Sequence, residues 1–189
     1  MKAFIPRLLC NSWVTCNLSV THESSGGFAQ SPRWLQRRPM GGDLDTPYRG
    51  GFVRTEHRFA LTVYFEDTDT AGVVYYANYL KFMERARSDM LRAVGVDQRE
   101  VLHSGGGAYY VAHVDIRYAR PARLGDDLVV VSEVEIVRAV SVQIHQRVMR
   151  NGELLADARV TAAFLDANGK PQRQPKIWVE RFRSITKSQ

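Results

Sequence analysis

The sequence predicts an α+β fold, a five-stranded antiparallel sheet with one long helix packed on one face. Three patterns carry that reading. Phe59, Leu61, Val63 and Phe65 alternate with Arg58, Ala60, Thr62 and Tyr64, the period of a half-buried strand. Tyr79, Leu80, Phe82, Met83, Ala86, Met90, Leu91 and Val94 then recur at spacings of three and four, the stripe of a helix with one apolar face. Four Val- and Ile-rich runs follow, joined by links too short for parallel crossovers.

Taken in order, residues 1 to 55 show no sustained periodicity. They are punctuated by Ser24-Ser25-Gly26-Gly27, Pro32, Pro39, Gly41-Gly42, Pro47 and Gly50-Gly51, which reads as a disordered or loosely structured extension. Met40 is a candidate true start, and the acid-poor arginines before Asp43 also fit a transit peptide. The helix is bounded by Asn78 as N-cap and Gly95 as the residue just past its end. Tyr110 to Tyr118, Leu128 to Val137, Val142 to Val148 and Leu154 to Leu165 are the later strands. Asn151-Gly152 marks a type I′ hairpin, and Asn168-Gly169 a second turn. The domain is placed at residues 56–182, with 183–189 as a basic tail.

The formal net charge of +6 argues for nucleic acid only if it lies on the folded part. It lies at the ends. Residues 1–56 hold seven Lys/Arg against four Asp/Glu and residues 170–189 hold six against one, whereas residues 57–169 hold thirteen against fifteen. No nucleic-acid partner is expected. No apolar run reaches the roughly 18 residues of a membrane-spanning helix. Both cysteines, Cys10 and Cys16, precede the domain, so thiol catalysis, a disulfide and a metal site are not expected within it, and a reducing cytoplasmic setting fits.

The chemistry concentrates in Glu66-Asp67-Thr68-Asp69-Thr70-Ala71-Gly72-Val73-Val74-Tyr75-Tyr76-Ala77-Asn78-Tyr79, between the first strand and the helix. A carboxylate there lies beside the helix's positive end, where free N–H groups meet developing negative charge. Asp67 and Asp69 lie two apart at the strand's end. On the residues alone, both also fit as turn or helix caps. Gly105-Gly106-Gly107 lacks the lysine of a phosphate loop, and the scattered histidines have no serine or cysteine elbow beside them.

This run, with Arg117-Tyr118-Ala119-Arg120-Pro121-Ala122-Arg123-Leu124-Gly125-Asp126 downstream, resembles the hotdog-fold acyl-CoA thioesterases of the 4-hydroxybenzoyl-CoA thioesterase class, especially their Tol-Pal-associated bacterial branch. The resemblance covers residues 57 to 182. It implies hydrolysis of an acyl-CoA thioester, with Asp69 as nucleophile or general base and the amide of Tyr76 in the oxyanion hole. Gly72, Val73, Tyr75 and Asn78 match the shared pattern at the substrate, and Arg120 and Arg123 are candidates for the coenzyme A phosphates. Tyr76 replaces the histidine typical of that branch, which leaves the acyl preference open. The resemblance further implies a homodimer or homotetramer and no cofactor. Two rival readings are a hotdog enzyme acting on acyl carrier protein, as thioesterase or dehydratase, and a non-catalytic acyl-binding or scaffold subunit.

Overall fold

A short strand, β1 (Gly51–Val53), opens the described part of the chain and turns straight into β2 (Glu56–Thr62). Arg54 takes the positive φ of this turn. The computed structural model describes residues 50–103 and 106–186. The chain divides into two units, 1–44 and 45–189, and all that follows concerns the second. Cys10, Cys16, Met40, most of the N-terminal extension and residues 187–189 lie outside the described residues.

The long helix is α1 (Asn78–Ala93), followed by α2 (Gln98–His103), β3 (Ala108–Tyr118), β4 (Asp127–Val137), β5 (Ser141–Arg150), β6 (Glu153–Leu165) and α3 (Lys176–Ser184). The strands form one antiparallel sheet in the order β1-β2-β4-β5-β6-β3. The sheet thus has six strands, not five. β1 carries no strand signal in the sequence, because three residues cannot display a period and its turn lacks an Asn-Gly pair. Asn151 and Gly152 both have positive φ at the β5–β6 turn, as type I′ requires. The expected basic tail begins inside α3, whose Trp178 and Phe182 are buried. Alternation also fails at Phe65, which is 82% exposed because the chain leaves β2 for a 3-10 turn at Phe65–Asp67.

The buried face of α1 meets the sheet in two apolar clusters. Phe82, Met83 and Ala86 pack with Leu128, Val130, Val148 and Leu155 near the helix start, and Met90 and Leu91 pack with Val134, Ile144, Phe164, Trp178 and Phe182 toward its end. A polar seam accompanies them. The fully buried Gln146 donates its amide to the Ser132 hydroxyl at 2.9 Å and to the Met83 carbonyl at 3.0 Å, while its oxygen accepts from Arg87 Nη1 at 2.7 Å. At Gly95 the helix ends in the left-handed conformation, and the Val96 N–H returns to the Leu91 carbonyl at 2.8 Å.

His57 on β2 and Asp89 on α1 make a second buried polar contact, Nε2 to Oδ2 at 3.2 Å, and the Gly50 N–H donates to the same Asp89 oxygen at 2.7 Å. A Cβ at residue 50 would sit 2.6 Å from the Arg58 carbonyl oxygen and 2.9 Å from Asp89 Oδ2, so this close approach requires glycine. Burial holds the His57 imidazole below its ordinary value of 6.5, although Asp89 pulls it upward. As pH falls below 6.5 the unfolded chain therefore takes up this proton first, and stability drops from that point downward. Urea midpoints measured from pH 7.5 to 5.5 are expected to fall, with a shallower slope in His57→Phe. An identical slope in both proteins would exclude His57 as the source.

Candidate functional site

Val63 is buried and β2 has ended, so the chain must turn back over the start of α1 while satisfying its own backbone. Asp67 does much of this. Its side chain is buried and its Oδ2 accepts the Tyr64 N–H at 3.0 Å, closing the 3-10 turn. Its carbonyl oxygen accepts twice, from the Tyr75 N–H at 3.0 Å and from Asn78 Nδ2 at 2.9 Å. Asn78 is therefore not the N-cap. It is the first helical residue, and Ala77 stands at the cap without a side-chain bond. The asparagine's amide reaches back to the loop because the loop carbonyl, not the helix's own amides, needs the partner.

Asp67 is buried, whereas Asp69 is exposed. On extended chain a two-residue spacing would put both carboxylates on one face, and it is the 3-10 turn ending at Asp67 that parts the structural carboxylate from the exposed one. Asp69 Oδ1 accepts the N–H groups of Ala71 at 2.8 Å and Val73 at 3.4 Å, and its own N–H donates to the Val73 carbonyl at 2.9 Å. Among the described residues, Oδ2 has no hydrogen-bond partner. Gly72 sits at the tip with φ +73, and nothing lies within 4 Å of where its Cβ would be, so it serves the turn rather than a close approach. Val73 bridges to Arg123, and the Val74 N–H donates to the Ala122 carbonyl at 2.9 Å.

The helix start is open to a ligand. Among the described residues, the N–H groups of Tyr76 and Ala77 have no partner. The Tyr118 hydroxyl donates to the Tyr76 carbonyl at 3.0 Å, which fixes the peptide that carries the Ala77 N–H. Buried Tyr79 accepts the Ala122 N–H at 2.8 Å through its hydroxyl, tying the helix to the loop after β3; burial raises its phenol above the ordinary value. The exposed rings of Tyr75 and Tyr76 lie 4.6 Å apart, and Tyr76 meets Tyr118 edge-on at 6.4 Å. Tyr75 is raised by the Tyr76 hydroxyl beside it.

Tyr76, Tyr79, Tyr118, Arg120 and Pro121 line a 240 Å³ cavity at this end of the helix. The two arginines differ. Arg120 Nε is paired with Glu153 at 2.8 Å, whereas the Arg123 side chain has no ion-pair partner among the described residues. Tyr118 and the anchoring role of Tyr79 escaped the sequence reading. The signal for Tyr118 was its two-residue spacing from Val114 and Ile116, which puts it on the helix-facing side of β3.

The thioesterase-like superfamily matches residues 63–182. Among curated proteins, the chain is 41% identical over 119 residues to the acyl-CoA thioesterase YbgC of Haemophilus influenzae, a match spanning 62% of this chain and 88% of that protein. It is 37% identical over 131 residues to the acyl-CoA thioester hydrolase YbgC of Escherichia coli O6:H1, covering 68% and 97%. Among solved structures, a probable thioesterase from Bartonella henselae superposes with a TM-score of 0.60 at 35% identity, covering 64% of this chain and 99% of that one. Among the described residues, no helix is long and apolar enough to cross a membrane, and no group of three or more His, Cys, Asp or Glu is placed to hold a metal.

The Asn78 tether is tested by stability. Asn78→Ala is expected to cost about 1 kcal/mol in urea unfolding, because the Asp67 carbonyl keeps its second donor. Asn78→Asp should cost more, since it turns a carboxylate toward that carbonyl in a buried position. A smaller loss for aspartate than for alanine would remove the tether.

Proposed function

The chain belongs to the thioesterase-like superfamily and is a thioester hydrolase, and from that premise we propose that it hydrolyses acyl-CoA thioesters at the loop between β2 and α1. The observation that carries the assignment is the arrangement around Asp69. One carboxylate oxygen is steadied by the Ala71 and Val73 amides and the other is open, on a loop whose Asp67 carbonyl is tied to both sides of the unpartnered Tyr76 and Ala77 amides. A thioester carbonyl held there would have its oxygen against the amides and its carbon before the carboxylate.

Asp69 serves as the catalytic carboxylate, and the Tyr76 and Ala77 amides receive the oxyanion. In the nucleophilic route, Asp69 Oδ2 bonds to the carbonyl carbon, the C–S bond breaks, and coenzyme A leaves as the thiolate; water then opens the mixed anhydride to give the free acid and restore the carboxylate. In the general-base route, Asp69 takes a proton from water as the water oxygen attacks the same carbon, and the departing thiolate receives it. Oxygen-18 from solvent entering the Asp69 carboxylate in a single turnover distinguishes the first from the second. Gly72 and Val73 shape the loop, Tyr75 and Tyr76 flank the acyl group, and Asn78 keeps loop and helix in register.

Arg123 is the better candidate for a coenzyme A phosphate, because its charge is uncommitted while that of Arg120 is already met by Glu153. Residues 56–182 make up the hydrolase domain, with β1 and the remainder of α3 attached to its ends. The exposed outer edge of β3 supports assembly into a homodimer or a higher homo-oligomer. Acyl carrier protein is the alternative carrier, distinguished by rates on matched CoA and carrier thioesters.

Thiol release from acyl-CoA esters should fall by about 10²–10⁴-fold in Asp69→Asn, with folding intact. Equal rates for the two proteins would take Asp69 out of the mechanism. Arg123→Ala should raise KM for CoA esters several-fold while leaving truncated pantetheine esters unaffected, and Arg120→Ala should do less. A uniform effect on both ester types would place Arg123 elsewhere.

A further inference from the structure

A second cavity, of 120 Å³, lies beside the later part of α1 and takes no part in the chemistry at Asp69. Leu91, Val142, Ile144, Ala162 and Phe182 give it apolar walls, with Ser88 and Gln98 as polar neighbours. Among the described residues one cation faces it. Arg87 lines the cavity with its guanidinium held to Gln146 Oε1 at 2.7 Å. That contact is built in, because Gln146 is fully buried and its amide is spent on Ser132 and the Met83 carbonyl, which turns its oxygen toward Arg87.

Among the described residues, no carboxylate lies within ion-pair distance of Arg87. Glu84 also lines the cavity and its field favours the charged guanidinium, but it is exposed and its Oε1 accepts from the Ser88 hydroxyl at 2.6 Å. Burial nevertheless depresses Arg87 below the ordinary arginine value. A guanidinium withdrawn from water costs free energy until an anion meets it, and its planar fork suits a carboxylate.

We propose that this cavity binds the carboxylate of a small organic acid whose compact apolar body packs against Leu91, Ile144 and Phe182. The acid has two sources of the same chemistry. It is either a free carboxylic acid, the product class of thioester hydrolysis, or the terminal carboxylate of an acyl group still joined to its thiol. Arg87 lies nine residues beyond the start of α1, about 14 Å along the helix. An acyl terminus reaching it from the Asp69 loop of the same chain must span that distance, and a shorter one comes from a second copy. Only this second source rests on the hydrolase reading.

The test uses the full chain. Butyrate, with butyramide as its uncharged counterpart, is titrated by calorimetry, and hydrolysis of glutaryl-CoA is compared with that of valeryl-CoA. Butyrate is expected to bind saturably and butyramide not. Arg87→Gln and the cavity-filling Ala162→Leu should each weaken butyrate by about tenfold or more, and Glu84→Gln should strengthen it several-fold by removing a like charge. A wild-type preference for glutaryl-CoA that collapses by about tenfold in Arg87→Gln, with valeryl-CoA unchanged, assigns the cavity to the acyl terminus. Butyrate binding without that preference, and without a preference for dodecanedioyl-CoA over lauroyl-CoA, whose longer chain reaches Arg87 from the Asp69 loop of the same chain, assigns it to the free acid. The proposal is overturned if the wild type shows neither, or if both Arg87→Gln and Ala162→Leu retain wild-type behaviour. Should Arg87→Gln fail to fold, Ala162→Leu carries the decision. If no thioester is cleaved at all, the hydrolase reading falls while the butyrate titration still reports on the cavity.

Discussion

The carbonyl oxygen of Asp67 is the point on which the site depends. It receives the Tyr75 N–H and the Asn78 amide together, so the peptide two residues before Asp69 is bonded to the residues on either side of Tyr76 and Ala77. A carboxylate and a pair of amide donors on separate elements would drift relative to one another if each were held only by its own element. Two bonds to a single acceptor join them into one body. Pre-organisation of this kind matters more than affinity for the ground state, because donors already aimed at the developing charge need no rearrangement when it appears.

The same economy recurs in the core. α1 does not rest on a purely apolar face; it carries Arg87 and Asp89 inward and meets them with Gln146, Ser132 and His57 from the sheet. A helix packed by apolar contacts alone can slide or rotate by small amounts at little cost. A buried amide committed to three partners cannot, since any shift strands a donor or acceptor without water. The register of α1 against β4 and β5 follows from the Gln146 bonds to the Met83 carbonyl and Ser132 as well as from Phe82, Met83 and Met90. The seam also leaves Arg87 at the wall of a second cavity, so the contacts that set the register of the helix equip its later part for an anion.

Charge shows why composition alone misleads. The chain is basic overall, yet its excess sits in the terminal segments. Within the domain many arginines are already answered: Arg150 by Asp126 and Glu153, Arg147 by Glu56 and Glu133, Arg120 by Glu153. The Arg58 and Arg147 bonds hold the Glu56 carboxyl down at about 2. The difference in pairing between Arg120 and Arg123, three residues apart, arises because Glu153 returns across the β5–β6 hairpin to reach one of them.

Periodicity and turn chemistry made most of the fold legible. Alternation announced β2 and the later strands, spacings of three and four announced α1, and Asn151-Gly152 announced its hairpin, because each signal comes from local sterics and one-sided burial. Asp69 was legible as a loop carboxylate beside a helix start, but its separation from Asp67 was not, because extended chain puts residues two apart on one face and only the 3-10 turn at Phe65–Asp67 parts them. What stayed hidden depends on contacts between residues far apart in the chain. β1 became a strand only because β2 offered it an edge, and α3 became a helix because Trp178 and Phe182 found Phe164 and Tyr109 to cover. Asn78 looked like a cap, and only the folded loop reveals that its amide is claimed by Asp67. No spacing connects Gln146 to Arg87, 59 residues earlier. The chain by itself determined which segments extend or coil and where a carboxylate meets a helix; the tertiary structure decided which charges are spent and which remain open, since a side chain's partner is set by what packing brings within 3 Å of it.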